Sequence, residues 1–198
     1  MPVRPGLRDA RTATIQRSAN GVPHISAPDP ETLAYAIAYA YAQDNVCMTA
    51  NQLVTVRGER SRYFGAATPG LLARSMFDNE KIDFFIAAHM DDTVLERAWS
   101  DASTESQALA RGAVAGYNRY LADHAGKLPV ACNGQPWVRP MTLPEFRRQA
   151  ELTAIQAASA PLAEAILGAH PPAPEPTASM TSALNRQSNN PSLKSPGS

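Results

Sequence analysis

The side chains best suited to catalysis or metal binding are few in this chain and lie far apart in the sequence. None of the four histidines is paired with a cysteine or an acid at the spacing of metal ligands; they are His24, His89, His124 and His170. The sequence contains no GxSxG, GxGxxG or HExxH motif and no phosphate-binding glycine loop. His24 follows a proline in an extended segment, where a local hydrogen bond explains it without catalysis. The residues alone therefore assign no cofactor and no metal.

The two cysteines, Cys47 and Cys132, are too few for a disulfide framework and occur in no CxxC or histidine-rich spacing. They could be two buried thiols or one bridge. On the sequence alone we expect free, buried thiols.

Residues 58–65 (GERSRYFG) place one acid and two arginines between glycines. This pattern predicts a capped helix end or a structured loop whose guanidinium groups reach back to carboxylates or carbonyls. An ordinary charged surface is the alternative.

The composition excludes several classes of partner. The 198 residues include 18 basic and 18 acidic side chains, and the isoelectric point is near 6.9, so net charge does not attract the chain to nucleic acid or to an anionic membrane. No apolar run is long enough to span a bilayer, and residues 1–11 lack the apolar centre of a secretory signal. Hydrophobic residues make up 44% of the chain, but many of them are alanines, which bury little area. We therefore expect no nucleic-acid or membrane partner, and a second polypeptide that completes the core.

The first predicted secondary-structure element is a β-hairpin near the N-terminus. Residues 12–17 alternate loosely between apolar and polar, and residues 22–27 can return as a second strand. The dipeptide Asn20-Gly21 between them favours a type I′ turn.

A long helix follows. Asp29 supplies an N-cap and Pro30 a first helical residue whose missing N–H costs nothing. Beyond Thr32 the chain is apolar or alanine on nearly every side, with tyrosines opposite the leucine and isoleucine positions. A helix that is apolar all round is buried all round. Periodicity alone favours the central helix of an ordinary bundle, and coverage by another polypeptide is the alternative.

Three further helical regions are expected. They are residues 83–99, residues 103–121, and a helix entered at Thr142 that continues to about residue 169 with a possible break at Pro161. Gly112 and Gly116, one turn apart in the second of these regions, predict close helix packing. Residues 127–141 should be irregular and held by Trp137.

The predicted organisation is an N-terminal extension (1–11), a domain (12–170) and a linker or spacer (171–198). The last segment holds six prolines and six serines and almost no large apolar side chain. The predicted fold class is mainly α with a short N-terminal β-hairpin, without internal repeats.

Five ordered segments identify a resemblance. ANGVPHISA, AYAYAQDN, VRGERSRYFG, ARGAVAGYNRYLAD and PWVRPMT together resemble the amino-terminal chain of the penicillin acylase family, in the branch of aculeacin acylase and N-acyl-homoserine-lactone acylases. The resemblance covers about residues 13–172.

The resemblance implies an N-terminal-nucleophile hydrolase with an αββα fold. A precursor of this family is cut into an α chain, a spacer and a β chain, whose first serine uses its own α-amine as base. Oxyanion-hole donors lie in the β chain. This chain would then be the α chain with its spacer, and the β chain would cover the apolar helix.

The resemblance also implies candidate site residues. Ser198 could be the processing-site nucleophile or an ordinary linker serine. Phe146, Leu152 and Thr153 could line the acyl pocket, and helix packing is the alternative for each. Some relatives bind calcium through a glutamate on this helix; Glu151 lies near that place, but no local motif fixes the register, and no metal is assigned.

The function implied is hydrolysis of the amide bond of N-acyl-homoserine lactones, acylated lipopeptides or β-lactams by a heterodimer in the periplasm or outside the cell. That compartment would permit a bridge between Cys47 and Cys132. The alternative is a non-catalytic helical binding or scaffold module related to acylases.

Overall fold

The computed structural model describes residues 12–170, and it confirms a mainly helical chain with an N-terminal hairpin. The predicted extension (1–11), the linker (171–198) and Ser198 lie outside the described residues. The helices are α1 (Pro30–Arg57), α2 (Arg60–Phe64), α3 (Asn79–His89), α4 (Asp92–Asp101), α5 (Thr104–Asp123), α6 (Leu143–Ala157) and α7 (Ala163–Leu167), with a 3₁₀ turn at Ala160–Leu162. The strands are β1 (Thr14–Arg17), β2 (Pro23–Ser26), β3 (Pro69–Leu72) and β4 (Ser75–Asp78). The helices and strands form one compact unit that ends at Leu167, and the described residues 168–170 belong to a second unit.

The first hairpin forms where the sequence predicts it, but its turn is different. Strands β1 and β2 are antiparallel, with Arg17 opposite Pro23. The Gly21 N–H donates to the Ser18 carbonyl at 2.9 Å, and only Gly21 of the connecting residues has a positive φ, +80°. A type I′ turn needs positive φ at both central residues, so the predicted turn type is wrong. The glycine instead occupies the left-handed position after a turn centred on Ala19 and Asn20.

Helix α1 begins and ends at the residues that local signals favour. The Asp29 carboxylate accepts a hydrogen bond from the Thr32 N–H at 2.8 Å, and Pro30 occupies the first turn. Gly58 ends the helix in the left-handed conformation, which glycine adopts without a steric penalty. Asn45 has non-helical dihedrals inside the helix and marks a kink.

Helix α5 packs more closely on α1 than any other element does. A Cβ atom at Gly112 would overlap the Glu31 carbonyl oxygen, and one at Gly116 would overlap the Tyr35 carbonyl oxygen. The two glycines therefore let the backbones of α1 and α5 approach to a distance that no other residue allows. The prediction of close packing at these glycines is confirmed.

Helix α1 is not buried all round by the described residues, contrary to the expectation for a helix of an ordinary bundle. One side carries buried residues such as Ala40, Val46 and Leu53. On another side, Ile37, Tyr41 and Met48 are 49%, 46% and 46% exposed. These three residues, spaced four and seven apart, follow one side of α1 across the kink, with the exposed Asp44, paired with Arg17, between Tyr41 and Met48; we call the three apolar residues the α1 flank.

The region predicted as one helix over residues 83–99 contains two. Helix α3 ends at His89, Met90 is extended, and Asp91 starts α4 by accepting hydrogen bonds from the N–H groups of Thr93 and Val94. The N-cap signal of Asp91 is therefore stronger than the apolar periodicity that runs through it.

Strands β3 and β4 form a second hairpin that sequence analysis did not predict. Its turn residues, Ala73 and Arg74, are not typical turn formers, and Ala73 is the only described non-glycine residue with a positive φ, 54°. The usual hairpin signals are absent, which explains the omission.

Helix α6 begins with a capping box. The Thr142 hydroxyl accepts from the Glu145 N–H, and the Glu145 carboxylate accepts from the Thr142 N–H at 2.7 Å. The helix ends at Ala157, four residues before Pro161, whose ring would clash with the residue-157 carbonyl. The predicted break is confirmed, and a 3₁₀ turn and the short α7 follow it.

Cys47 of α1 and Cys132 of the irregular connection between α5 and α6 form a disulfide. The expectation of free thiols is therefore wrong. The bridge joins residues 85 apart in sequence, a long-range proximity that cysteine spacing cannot reveal. No helix among the described residues is long and apolar enough to cross a membrane.

Candidate functional site

A cavity of about 330 Å³ lies between α1, the β3–β4 turn and α6. One part of its wall is apolar and includes Met48, Leu71 and Leu152. Another part carries neutral amides and hydroxyls, and Arg60 is the only charged residue that lines it. We call this space the Arg60 cavity.

Arg60 is buried, with only 9% of its surface exposed, and its guanidinium is fixed by several contacts. Its Nε donates to the Asn79 Oδ1 at 2.8 Å, and its Nη1 donates to the Asn51 Oδ1 at 2.8 Å and to the Thr55 hydroxyl at 2.9 Å. The guanidinium carbon lies 5.1 Å from the centre of the Phe64 ring, within cation–π range. These contacts use three of the five guanidinium N–H groups. The two N–H groups of Nη2 have no hydrogen-bond partner among the described residues.

The space for this guanidinium depends on a glycine. A Cβ atom at Gly70 would lie 2.6 Å from the Asn79 Oδ1 and 2.8 Å from the Arg60 Nη2. Any larger residue at position 70 would therefore displace the arginine or its amide partner.

The charge of Arg60 has no carboxylate within ion-pair distance among the described residues. Burial lowers the pKa of Arg60, because removal from water disfavours the charged form, and the more distant Asp83 opposes that effect. Asp83 itself accepts hydrogen bonds from the backbone N–H groups of Arg60 and Ser61. The cavity wall therefore carries a positive charge that is hydrogen-bonded but has no carboxylate at ion-pair distance among the described residues.

A second cavity, of about 320 Å³, lies between α4, α5 and α6 and is mainly apolar. Leu95, Trp99 and Phe146 line it, and the Arg147 guanidinium lies 5.5 Å from the Trp99 ring centre. Helix α4 has no buried residue. It is held to α6 by the bidentate pair of Arg148 with Asp92. The hydrogen bond from Arg148 lowers the pKa of Asp92.

The predicted substrate-binding residues do not share one cavity. Phe146 lies on the wall of the second cavity, whereas Leu152 and Thr153 lie on the wall of the Arg60 cavity. Leu152 is 3% exposed and belongs to the core, while Thr153 is exposed. A contact with substrate stays a prediction for all three.

Helix α6, which carries these residues, is fixed to α1 by a buried ion pair. The Arg57 Nε donates to the Glu145 carboxylate, with side-chain exposures of 6% and 15%. Burial raises the pKa of Glu145, but hydrogen bonds from Arg57 and the Thr142 backbone outweigh it and lower the pKa overall. Tyr117 is buried beside this pair, and burial raises its pKa to about 12.

Two of the histidines have local structural roles. The ring of His89 stacks on Phe85, and the ring of His124 stacks on Tyr120. The Nδ1 atom of each histidine lies about 3 Å from the backbone carbonyl oxygen of the aromatic residue on which its ring stacks, one helical turn earlier. Residues 12–170 contain no group of three or more histidine, cysteine or acidic residues that could hold a metal ion.

The Arg60 cavity was not predicted from the sequence. The GERSRYFG segment predicted arginines that reach carboxylates or carbonyls. Arg62 lies 3.6 Å from the Glu59 carboxylate, and Arg60 donates to the side-chain carbonyl oxygens of Asn51 and Asn79 and to a hydroxyl, from α1 and α3. Asn51 and Asn79 are 9 and 19 residues away from it, and no spacing signal connects them. The glycine-bounded arginine pair was the one local signal available.

Comparison with known proteins gives a consistent result. The model of the penicillin amidase family matches residues 12–191. The chain is 41% identical over 172 residues to the acyl-homoserine lactone acylase PvdQ of Pseudomonas syringae pv. syringae, covering 86% of this chain and 21% of that protein. It is 35% identical over 164 residues to the aculeacin-A acylase of Actinoplanes utahensis, covering 81% of this chain and 21% of that protein. The chain therefore spans about a fifth of the length of these curated relatives.

The fold is also similar to a solved structure. A thermostable penicillin G acylase from Alcaligenes faecalis aligns with a TM-score of 0.60 and 22% identity, over 89% of this chain and 82% of that one. At this identity the likeness concerns the fold alone. With five ordered segments, a matching family model and relatives at 35–41% identity, the chain belongs to the penicillin amidase family.

Proposed function

We propose that this chain is the α segment of a two-chain acylase that hydrolyses the amide bond of N-acyl substrates. The observation that carries the proposal is the match to acylases over four fifths or more of the chain. The substrate classes follow the named relatives: N-acyl-homoserine lactones first, then acylated lipopeptides and β-lactams.

The exposed α1 flank supports a second polypeptide. Ile37, Tyr41 and Met48 present apolar surface that the described residues leave open. The curated relatives are about five times longer than this chain, so most of their length has no counterpart here. The matched chain of the solved penicillin G acylase is of similar length to this one, since 82% of it is covered. A separate β chain that packs on the flank accounts for all three observations.

In this proposal the residues have distinct roles. The β chain supplies the oxyanion-hole donors and the serine nucleophile, for which Ser198 is the candidate. Phe146, Leu152 and Thr153 are the α6 candidates for contact with substrate, Phe146 from the second cavity and Leu152 and Thr153 from the Arg60 cavity. The α chain therefore positions the substrate, and the β chain cleaves it.

A periplasmic or extracellular location is part of the proposal. A disulfide persists in an oxidising compartment and is rare where thiols are kept reduced. The Cys47–Cys132 bridge is consistent with such a compartment. Fractionation of the source cells, with detection of the chain by mass spectrometry, tests it; recovery in the cytoplasmic fraction alone contradicts it.

The test of the activity is hydrolysis by the purified full-length gene product. We expect N-acyl-homoserine lactone to be converted to the free acid and homoserine lactone, both detected by mass spectrometry. The matched variant with the first serine of the β chain replaced by alanine should release neither. An intact, well-folded protein that hydrolyses none of the three substrate classes would favour the non-catalytic binding module.

A further inference from the structure

We propose that the Arg60 cavity is a binding site for a small aliphatic carboxylate, which Arg60 holds through Nη2. The proposal concerns a binding event and does not depend on amide hydrolysis, although Leu152 and Thr153 lie on the same wall.

The donor for such a ligand is already oriented. The Nε and Nη1 of Arg60 are fixed by Asn79, Asn51 and Thr55. The Phe64 ring limits movement perpendicular to the guanidinium plane. The two N–H groups of Nη2 have no partner in the described part of the chain, and Arg60 lines the cavity. A ligand oxygen there meets donors that need no reorganisation, which favours binding.

The charge of the cavity selects a monoanion. Among its lining residues Arg60 alone is charged, and the rest of the polar wall consists of neutral amides and hydroxyls. Asp83 acts on Arg60 from outside the lining and beyond ion-pair distance, so one negative charge inside the partly enclosed space further stabilises the guanidinium. A dianion would leave a second charge uncompensated by the lining residues. The guanidinium also matches the planar geometry of a carboxylate.

The remaining wall selects an aliphatic chain. Leu72 and Leu152 are 1% and 3% exposed on the inner side, and Met48 and Leu71 are 46% and 62% exposed near the opening. A volume of about 330 Å³ exceeds what one carboxylate group fills and accommodates a short hydrocarbon chain. Hexanoate combines the two features, and the similarly shaped hexanamide is neutral and carries an NH2 donor in place of one acceptor oxygen.

The experiment is isothermal titration calorimetry of the full-length gene product with sodium hexanoate and with hexanamide. We expect hexanoate to bind at least tenfold more tightly. The key variant is Asn51→Asp, because the Asn51 Oδ1 already accepts from Arg60 and the substitution adds a counter-charge at the same atom. It should lower hexanoate affinity at least tenfold. The control Asn133→Asp adds the same charge at an exposed residue between α5 and α6 that does not line the Arg60 cavity, and it should leave that affinity unchanged.

A second variant covers the case in which Asn51→Asp does not fold. Gln52 is exposed on the cavity wall, so Gln52→Glu adds a charge without altering the Arg60 hydrogen bonds, and it should weaken hexanoate at least threefold. Equal binding of hexanoate and hexanamide overturns the proposal. It is also overturned by the absence of hexanoate binding, or by equal hexanoate affinities in the folded charge variants and Asn133→Asp. None of these results bears on amide hydrolysis, which is measured separately.

Discussion

Two buried arginines of this chain illustrate how differently one residue type is used. Arg57 pairs with the Glu145 carboxylate and connects α1 to α6. Arg60, three residues later, has no carboxylate partner among the described residues and is held by amides, a hydroxyl and an aromatic ring. The first arginine stabilises the helix that carries the predicted substrate contacts. Both leave guanidinium nitrogens without a partner among the described residues, Nη1 and Nη2 of Arg57 and Nη2 of Arg60, but only Arg60 lines the Arg60 cavity.

The Arg57–Glu145 pair predicts a specific response to acid. The folded state lowers the pKa of Glu145, so its ionised form stabilises the fold. This contribution is fully present above the unfolded-state pKa of about 4.3 and is lost as the pH falls through the lower folded-state pKa. Glu145→Gln should cost about 1–3 kcal/mol of unfolding free energy at pH 7 and less as the pH falls from 5 to 3.

Thermal unfolding of both proteins across that pH range measures the effect. Glu164→Gln is the control, since Glu164 is exposed and makes no ion pair among the described residues. A stability difference between wild type and Glu145→Gln that stays constant from pH 7 to pH 3 contradicts the prediction.

At the scale of elements, the α1–α5 contact positions the rest of the chain. It depends on two small residues, Gly112 and Gly116, and on an α1 face rich in alanine. Alanine and glycine bury little apolar area, but they allow close backbone approach and many van der Waals contacts. The high alanine content therefore limits the number of large core side chains, but it also allows the two helices to pack with their axes close together.

Gly116→Ala should be strongly destabilising, although alanine is the better helix former. The new Cβ would overlap the Tyr35 carbonyl oxygen, which is backbone and cannot rotate away. We expect a loss of about 3 kcal/mol or more in unfolding free energy. Ala122→Ser adds one atom at an exposed position of the same helix and should change stability by less than about 0.5 kcal/mol. Equal denaturation midpoints for the two variants would refute the close contact.

The disulfide fixes the irregular connection onto α1. The bridge closes a loop of about 85 residues and so restricts the unfolded chain. Removal of the bridge in the double variant Cys47→Ser/Cys132→Ser should lower the unfolding free energy by about 3–5 kcal/mol. The measurement is thermal unfolding with and without dithiothreitol. Reductant should lower the midpoint of the wild type and leave that of the double variant unchanged; a wild type insensitive to reductant after unfolding and refolding argues against the bridge.

Elements with strong local signals could be predicted from the sequence, and long-range contacts could not. The caps at Asp29 and Thr142 indicated where α1 and α6 begin, because both use backbone atoms within three residues. The β3–β4 hairpin escaped prediction because its Ala73-Arg74 turn has no glycine, asparagine or aspartate. The disulfide and the Arg60 cavity are formed by residues from separate elements, and a single sequence carries no signal that connects them.

At the scale of the whole molecule, the α1 flank remains the most informative surface. Exposed apolar patches on a soluble protein mark a surface that another chain covers or a ligand occupies. Here Ile37, Tyr41 and Met48 follow one side of α1, and Met48 also borders the Arg60 cavity. The proposed β chain would cover this side and enclose the mouth of the cavity. The substrate contacts on α6 would then be completed from the other chain.

We expect this segment to work as one part of an enzyme made by cleavage of a longer precursor. The most direct measurement is the intact mass of the purified full-length gene product, recorded under denaturing conditions. We expect two polypeptides, the smaller containing residues 12–170, and a single uncut polypeptide when the serine that begins the larger one is replaced by alanine. A single uncut polypeptide from the unaltered gene would contradict it.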